Sequence, residues 1–367
     1  MQFSVLSGEE SDQWFSFVQK LEPEDRDIHF LPEYARVYEK TYGYEPCLAY
    51  CEDGNDFVIQ PFMKRPLNGL PFLKEQNVEE RYYDIANAYG HGGPISRSAD
   101  SHRASQLLED FDRYFTAYCL DNKIACEFTS LHPLLERQRI FLDLNLVSAT
   151  RQKEIVYIDL TVSEKEIWGN LRKGHKSSVK KAVKSGVRIE KMEPTAHNFG
   201  ILNRLYYSTM ERNSAADRWF FPERYFRDCY EQLGKERISL FVAYVGSVPA
   251  AACILMHDFD TIYYHFSGSD ERFLSHGTNN LMVYEVALWA KQKGYRRFFL
   301  GGGVSSSSQD SLFIFKSGFS EKRAPLYTYG RVHHRQTYEY LCSLKRTHEK
   351  AALGAEIASD YFPLYRR

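Results

Sequence analysis

A single lysine, Lys316, lies between Phe315 and Phe319, just after the runs Gly301-Gly302-Gly303 and Ser305–Ser308. A cation among aromatics, next to backbone that glycine leaves open, is suited to hold a substrate phosphate or to stabilise the oxyanion of an acyl-transfer intermediate. A second cationic feature lies upstream. The stretch Leu171–Arg188 carries Arg172, Lys173, Lys176, Lys180, Lys181, Lys184 and Arg188 without one Asp or Glu. Like charges at helical i,i+3 and i,i+4 spacing cost about a few tenths of a kcal/mol per pair. A bound anion offsets that cost, so Arg172, Lys173, Lys176 and Lys180 are candidate donor- or phosphate-binding residues, with a solvated helix face as the alternative. Between these features, Gly277-Thr278-Asn279-Asn280 opens a long helix whose first N–H groups and dipole attract an anion or a developing oxyanion. Tyr263 and Tyr264 are adjacent on a strand and so face opposite sides; one belongs to the core, and Tyr264 is the candidate for the site. In the first half, Tyr89-Gly90-His91-Gly92-Gly93-Pro94 is a loop whose glycines allow close backbone approach, and His91 is its candidate base. No carboxylate or histidine stands out as an obligatory base. That suits a reaction in which positioning dominates and an amine nucleophile gives its proton to substrate or water.

The elements that must hold these residues follow from pattern. The first half begins with a strand at Phe3–Leu6, helices near Glu10–Leu21 and Pro32–Tyr42, and strands Pro46–Cys51 and Asp56–Lys64 joined at Asp53-Gly54-Asn55. A helix near Ser101–Asn122 and a strand at Ile124–Phe128 follow. The second half has a strand at Glu154–Leu160 and helices around Glu164–Leu171 and His175–Ser185. Next come a strand at Val187–Glu190 and helices near Ala196–Arg212 and Pro222–Leu233. The clearest hairpin is Ile238–Tyr244 with Val248–His257 across Val245-Gly246-Ser247. An aromatic strand from Thr261, a polar loop, the long helix from Gly277 and a strand ending at Gly301-Gly302-Gly303 lead to Lys316. A strand at Leu326–Gly330 and a helix around Arg335–Ala352 close the chain. Both halves therefore repeat hairpin, further strand, long helix, strand, a repeat of pattern rather than of residues. The expected class is α/β (α+β): two tandem domains, each a mixed twisted sheet flanked by helices. The first spans 1–152, the second 153–331, and the C-terminal helix at 332–367 can pack back on the first.

Composition narrows the function classes. At 367 residues the chain exceeds one ordinary core, and 43% apolar with 26% charged is globular. A net charge of −1 gives no global case for nucleic acid or anionic membrane, so such binding must be local. DNA is not an expected partner, and membrane contact is at most peripheral. The seven cysteines are scattered without a C-x-x-C pair, which reads as reduced thiols in a cytoplasmic protein with no metal site. The N-terminus lacks the pattern of a signal peptide, and no run approaches a membrane span. There is no G-x-G-x-x-G after a strand, no G-x-x-x-x-G-K-[ST], no G-x-S-x-G and no H-E-x-x-H, which sets aside hydride transfer, P-loop chemistry, serine hydrolysis and zincins.

Several of these segments together resemble the FemABX-type acyltransferases, a branch of the GNAT (N-acyltransferase) superfamily. Trp168 and Leu171 with the basic stretch are similar to the "W-x-x-L" and "L-R-K" opening of that family's second domain. Phe315-Lys316 and Phe319 match its "F-K-x-x-F" element, and Ser267-Gly268-Ser269 resembles its "G-A/G-S". Leu205–Asn213 resembles the "Y-x-x-T-x-x-R" element lining the acceptor groove, which implies Tyr207 and Arg212. Asp84 and Tyr89–Pro94 resemble "D-x-x-x-x-Y-G-Y/H-G-G-P", which implies Asp84 on acceptor hydroxyls and Tyr89 beside it. The resemblance implies two GNAT-like domains in the compact form without a coiled-coil arm. It implies Lys316, Tyr264 and His91 as catalytic candidates, and Asp84, Tyr89, Tyr207, Arg212, Ser267, Gly277, Asn279 and Gly302 as substrate-binding ones. The loop Arg272–Asn279 departs from the R/Q-x-x-G-x-G/A expected of an enzyme using acetyl-coenzyme A. The implied activity is amide formation on an amine acceptor, with aminoacyl-tRNA as co-substrate, no tightly bound cofactor, and a cell-wall (peptidoglycan) or other nucleotide- or lipid-linked precursor as acceptor. The alternatives are an acyl-CoA-dependent N-acyltransferase of polysaccharide, lipid or specialised-metabolite biosynthesis, and a non-catalytic binding module. The oligomeric state is not legible.

Overall fold

The computed structural model describes residues 1–76, 78–354 and 359–367. The chain divides into two compact units, Met1–Gln152 with Leu326–Arg367, and Lys153–Pro325. In unit 1 the strands are β1 (Gln2–Ser7), β2 (Glu45–Asp53), β3 (Asp56–Pro66), β4 (Tyr83–Ala86), β5 (Ile95–Arg97) and β6 (Ile124–Ser130). Its helices include α1 (Ser11–Lys20), α2 (Pro32–Tyr42), α3 (Pro71–Glu75), α4 (Ser101–Asp121) and α5 (Gln138–Asp143). Unit 2 runs β7 (Ala149–Asp159), α6 (Glu164–Asn170), α7 (Lys173–Lys184), β8 (Arg188–Met192), α8 (Ala196–Arg212) and α9 (Glu223–Leu233). It continues with β9 (Ile238–Val245), β10 (Val248–Asp258), β11 (Thr261–Ser269), α10 (Thr278–Gln292), β12 (Arg297–Gly301) and α11 (Ser311–Ser317). Then β13 (Arg323–Val332) and α12 (Arg335–Leu353) return the chain to unit 1. Of the C-terminal stretch expected over 332–367, residues 355–358 lie outside the described residues.

Both sheets follow one logic. In unit 2 the order is β8-β9-β10-β11-β12-β7. The first four are antiparallel neighbours, β11 and β12 are parallel, and β7 closes antiparallel on β12. Parallel neighbours need a crossover, and α10 supplies it. In unit 1 the order is β1-β2-β3-β4-β6-β13, with β5 added on β3; β4 and β6 are parallel and α4 makes the crossover. Each unit is thus a mixed sheet flanked by helices. The strand at Leu326–Gly330 corrects the expected boundary at 331. Thr328 pairs with Ser130 and Val332 with Cys126, so β13 completes the sheet of unit 1 from Leu326 onward.

The core of unit 2 lies between the sheet and α6, α7 and α10, on Ile158, Val179, Ala182, Leu255, Ile262, Met282, Val286 and Phe298. Local chemistry fixes the ends of these helices. Ser163 and Glu166 form a reciprocal capping box at α6, and Asp310 accepts from the Phe313 N–H at 3.0 Å to start α11. All seven cysteines are buried free thiols.

Candidate active site

The parallel pair in unit 2 comes apart. β11 meets β12 only along Thr261–Tyr263 against Arg297–Phe299. Its remaining residues, Tyr264–Ser269, continue with β10 alone, and the register slips between Ile254 and Leu255. The slip makes His265 the extra residue of a bulge, a device that bends a strand away from its neighbour. The C-terminal ends of two parallel strands therefore diverge.

At the mouth of β12 the three glycines are occupied rather than merely loose. Lys316 Nζ donates to the Gly302 carbonyl at 2.8 Å, and Lys153 Nζ to the Gly303 carbonyl at 2.7 Å. A Cβ on Gly302 would stand 2.8 Å from the Glu154 carbonyl, so no larger residue fits. Asp310 orders the serine loop: its Oδ2 accepts from the Ser305 N–H at 2.9 Å and hydroxyl at 3.1 Å, while Oδ1 caps α11. Burial, reinforced by the Lys153 charge and opposed by Asp310, pushes Lys316 down to about 7. Burial likewise lowers Lys153. Lys316 therefore exchanges its proton near neutrality and is cation or free amine as its surroundings dictate.

The basic segment meets this locus. His175 of α7 bonds the Phe315 carbonyl through Nε2 at 2.8 Å, its ring set edge-on to Phe319 at 4.6 Å between centroids. The Arg172 N–H donates to the Gly318 carbonyl at 2.9 Å. Burial lowers His175, opposed by this bond, in which the Nε2–H donates to the carbonyl. Along α7, Val179 and Ala182 are buried, whereas Arg172, Lys173, Lys180, Lys181 and Lys184 are exposed. Lys176 caps the Gly169 carbonyl at 2.7 Å, and Lys180 lies over the Trp168 ring at 5.9 Å.

Gly277 is the N-cap of α10 at φ 74°, and a Cβ there would stand 2.5 Å from the Ser178 carbonyl of α7. The glycine is thus required by a left-handed backbone and by close approach of the basic helix. Asn279, in the first turn of α10, is half-buried. Tyr264 and Tyr263 do face opposite sides. Tyr263 is buried beside Phe299, while Tyr264 is half-buried against the core, 6.2 Å from Phe298 between ring centroids and bonded to Ser267. Burial raises its phenol, so Tyr264 stays protonated.

Four expected roles are corrected. Arg212 is committed to the fold: it donates to the Ser269 carbonyl at 2.9 Å, tying α8 to the end of β11. Tyr207 gives its hydroxyl proton to the Phe221 carbonyl at 2.6 Å, a brace between α8 and the start of α9. Asp84, in unit 1, is fully buried; Arg65 donates to it at 2.8 Å and Arg366 at 2.5 and 2.9 Å, so it has no face for acceptor hydroxyls. His91 is buried beside His29 and His132, with ring centroids at 5.1 and 4.8 Å. Burial and those two neighbours hold it well below the usual imidazole range, which makes it a poor general base. Tyr89 is partly exposed, its carbonyl accepting from the Tyr34 hydroxyl.

Atoms of Asp27, His29 and His132 in unit 1 lie close enough together to hold a cation. Their contacts are those of a hydrogen-bonded brace. Asp27 accepts from the His29 N–H at 3.0 Å and lies 2.6 Å from its Nδ1, and His132 Nε2 faces Asp27 at 3.4 Å. The Leu134 N–H donates to His132 Nδ1 at 3.1 Å, which leaves the ring proton on Nε2, toward Asp27 rather than a metal. Lys153, Asp310 and His175 were not singled out by sequence. Asp310, ahead of the Phe-Lys pair at N-cap spacing, was the available signal.

Residues 169–317 match the family model described as the acetyltransferase (GNAT) domain, so this part of the chain carries an acyltransferase domain. That span starts at the lead-in to α7 and ends one residue past Lys316. Within the class, the whole chain has a FemX-like fold. It matches the crystal structure of FemX at 14% identity over 93% of this chain and 99% of that one, TM-score 0.69. A conserved protein of unknown function from Bacteroides thetaiotaomicron matches at 12% identity over 89% and 98%, TM-score 0.56. The C-terminal domain of a putative lysylphosphatidylglycerol synthetase from Agrobacterium fabrum matches at 14% over 88% and 90%, TM-score 0.50. No curated protein matches the sequence. Among the described residues no helix is long and apolar enough to cross a membrane.

Proposed function

We propose that this acyltransferase forms an amide on an amine acceptor, taking its acyl group from an aminoacyl-tRNA. The observation that carries the reading is Lys316, set on the Gly302 carbonyl at the mouth of the diverging strands and pushed to about 7. A lysine in that state suits both halves of acyl transfer. As a cation it stabilises negative charge developing on the carbonyl oxygen. As the free amine it first accepts a proton from the acceptor ammonium, which makes it that cation. The amine then attacks the ester carbon, the C–N bond forms, and the C–O bond breaks. The second nitrogen proton leaves with the departing hydroxyl oxygen.

The exposed cations of α7, fixed to the Lys316 helix through His175, suit the phosphates of a nucleic-acid donor. The departure at Arg272–Asn279 from a coenzyme A loop, with Gly277 closed by Ser178, disfavours acyl-CoA. FemX and the lysylphosphatidylglycerol synthetase domain share the fold, and the latter's name points to an aminoacyl group as cargo. The acceptor is a cell-wall or lipid-linked precursor carrying a primary amine, met in the cytoplasm. The test incubates the protein with charged tRNA or acetyl-coenzyme A and a panel of amine-bearing precursors. Thermal stabilisation by charged tRNA and tRNA-dependent product support the reading. Stabilisation and product with acetyl-coenzyme A alone replace the donor, and binding without product from any donor makes the chain a binding module.

A further inference from the structure

Lys153 and Lys316 are far apart in sequence but arrive on consecutive peptide units. Lys316 donates to Gly302 and Lys153 to Gly303, at 2.8 and 2.7 Å. We infer that Lys153 is a positioning residue for Lys316, holding the glycine turn from the β7 side and governing, through like-charge repulsion, when Lys316 carries its proton.

Three observations support the assignment. First, the turn cannot adapt around the pair. Gly301 is at φ 80°, a Cβ on Gly302 would meet both the Glu154 carbonyl and the Lys153 side chain at 2.8 and 3.0 Å, and one on Gly303 would overlap Asp310. Both side chains therefore press on the same turn, Lys316 Nζ 3.2 Å from where a Cβ on Gly301 would lie and the Lys153 chain 3.0 Å from one on Gly302. Second, the neighbouring charges do not cancel the pair. Glu154 and Lys153 come from β7, Asp310 from the serine loop, Arg172 and His175 from the start of α7, and Arg323 from beyond α11. Of these, Asp310 is the acid that acts on both lysines, and its oxygens are already engaged by Ser305 and the α11 N–H groups. Third, both lysines shift the same way: each lies below its ordinary value, with burial as the largest cause in each.

The consequence for turnover rests on the acyl-transfer reading; the coupling itself does not. Removing the Lys153 charge while keeping a donor relieves repulsion, so Lys316 holds its proton to higher pH and is less available as a proton acceptor near neutrality. Keeping the charge keeps the effect.

The test follows the pH dependence of labelling of Lys316 by a limiting amount of acetic anhydride in the intact protein, read by mass spectrometry of its peptide. In Lys153→Gln the labelling midpoint is expected to rise by about one pH unit, with a roughly fivefold slower labelling near pH 7. In Lys153→Arg it stays near the wild-type midpoint. Lys153→Met gives the same rise as Lys153→Gln, and circular dichroism reports whether each variant is folded, so Gln carries the test if Met does not fold. An unchanged midpoint in Lys153→Gln, or an equal shift in Lys153→Arg, overturns the inference. Neither readout needs turnover. A shifted midpoint in a protein that makes no amide from any donor would keep the coupling and sink the proposed function; the reverse would keep the function and sink the coupling.

Discussion

Lys316 and Asp84 are both charges set in protein, and their partners give them opposite roles. Lys316 has a carbonyl and a like-charged neighbour, which leaves it poised to change state; Asp84 has two arginines, which lock it. Lys316→Met is expected to lower kcat by about a hundredfold or more with the fold intact by circular dichroism, as loss of one oxyanion-stabilising donor does. Lys316→Arg restores the charge but not the discharge near neutrality, so its rate should lose the wild-type pH dependence around 7. Asp84→Asn should instead destabilise by about 3 kcal/mol, since it leaves Arg65 and Arg366 buried without their anion, and leave Lys316 labelling unchanged. The sign with pH is set by direction: burial pushes the Asp84 carboxyl up, but Arg65 and Arg366 outweigh it and hold it below the usual range. Its stabilisation is therefore present above the ordinary carboxylate range and is lost as pH falls through the folded value. Urea midpoints from pH 7 down to 3 should converge for wild type and Asp84→Asn; parallel curves would refute the ion-pair role. The contrast also explains what was legible. Lys316 announced itself through neighbours a few positions away. Asp84 sits in a motif-like context, but Arg366, which decides its role, is 282 positions on.

At the scale of elements, the same divide appears. The helices and the Ile238–His257 hairpin were readable because period and caps are local, and α8 and α10 begin where the sequence says. β4 and α5 were not read, since a four-residue strand and a six-residue helix carry too little periodicity. The divergence of β11 from β12 was also hidden, because a bulge at His265 depends on pairing with β10. Gly277 shows how element and site are joined. It was singled out for the free N–H groups of a helix start, yet its position is set by φ 74° and by the Ser178 carbonyl 2.5 Å from where a Cβ would lie. Gly277→Ala should therefore cost about 1–3 kcal/mol through strain and displacement of α7. It should also weaken binding of a polyanionic donor while leaving Lys153–Lys316 labelling in place. A variant as stable as wild type would show that α7 and α10 adjust freely, and the packing argument would fail.

On the scale of the chain, unit 2 is continuous in sequence and unit 1 is not. Residues 153–325 contain the diverging strands, the basic helix, both lysines and the serine loop, together with a core of their own. Unit 1 needs the last segment of the chain twice over. β13 closes its sheet against β6, and Arg366 neutralises the buried Asp84 while Tyr365 bonds it at 3.2 Å. A smaller core of Leu67, Phe72, Tyr82 and Cys126 also depends on Leu341, Cys342 and Tyr365. Fragments should separate these cases. Residues 153–325 alone are expected to melt cooperatively, with amide exchange slowest in β9, β10 and α10. Residues 1–152 alone lack β13 beside β6 and one of the two arginines on Asp84, and should show no cooperative transition. Adding a peptide of residues 326–367 should restore one, because it supplies strand, arginine and apolar partners together. If 1–152 melts cooperatively without that peptide, the C-terminal return is an ornament on a complete domain. If only the pair does, a chain that leaves one unit to build the other has made the folding of the first conditional on finishing synthesis of the second.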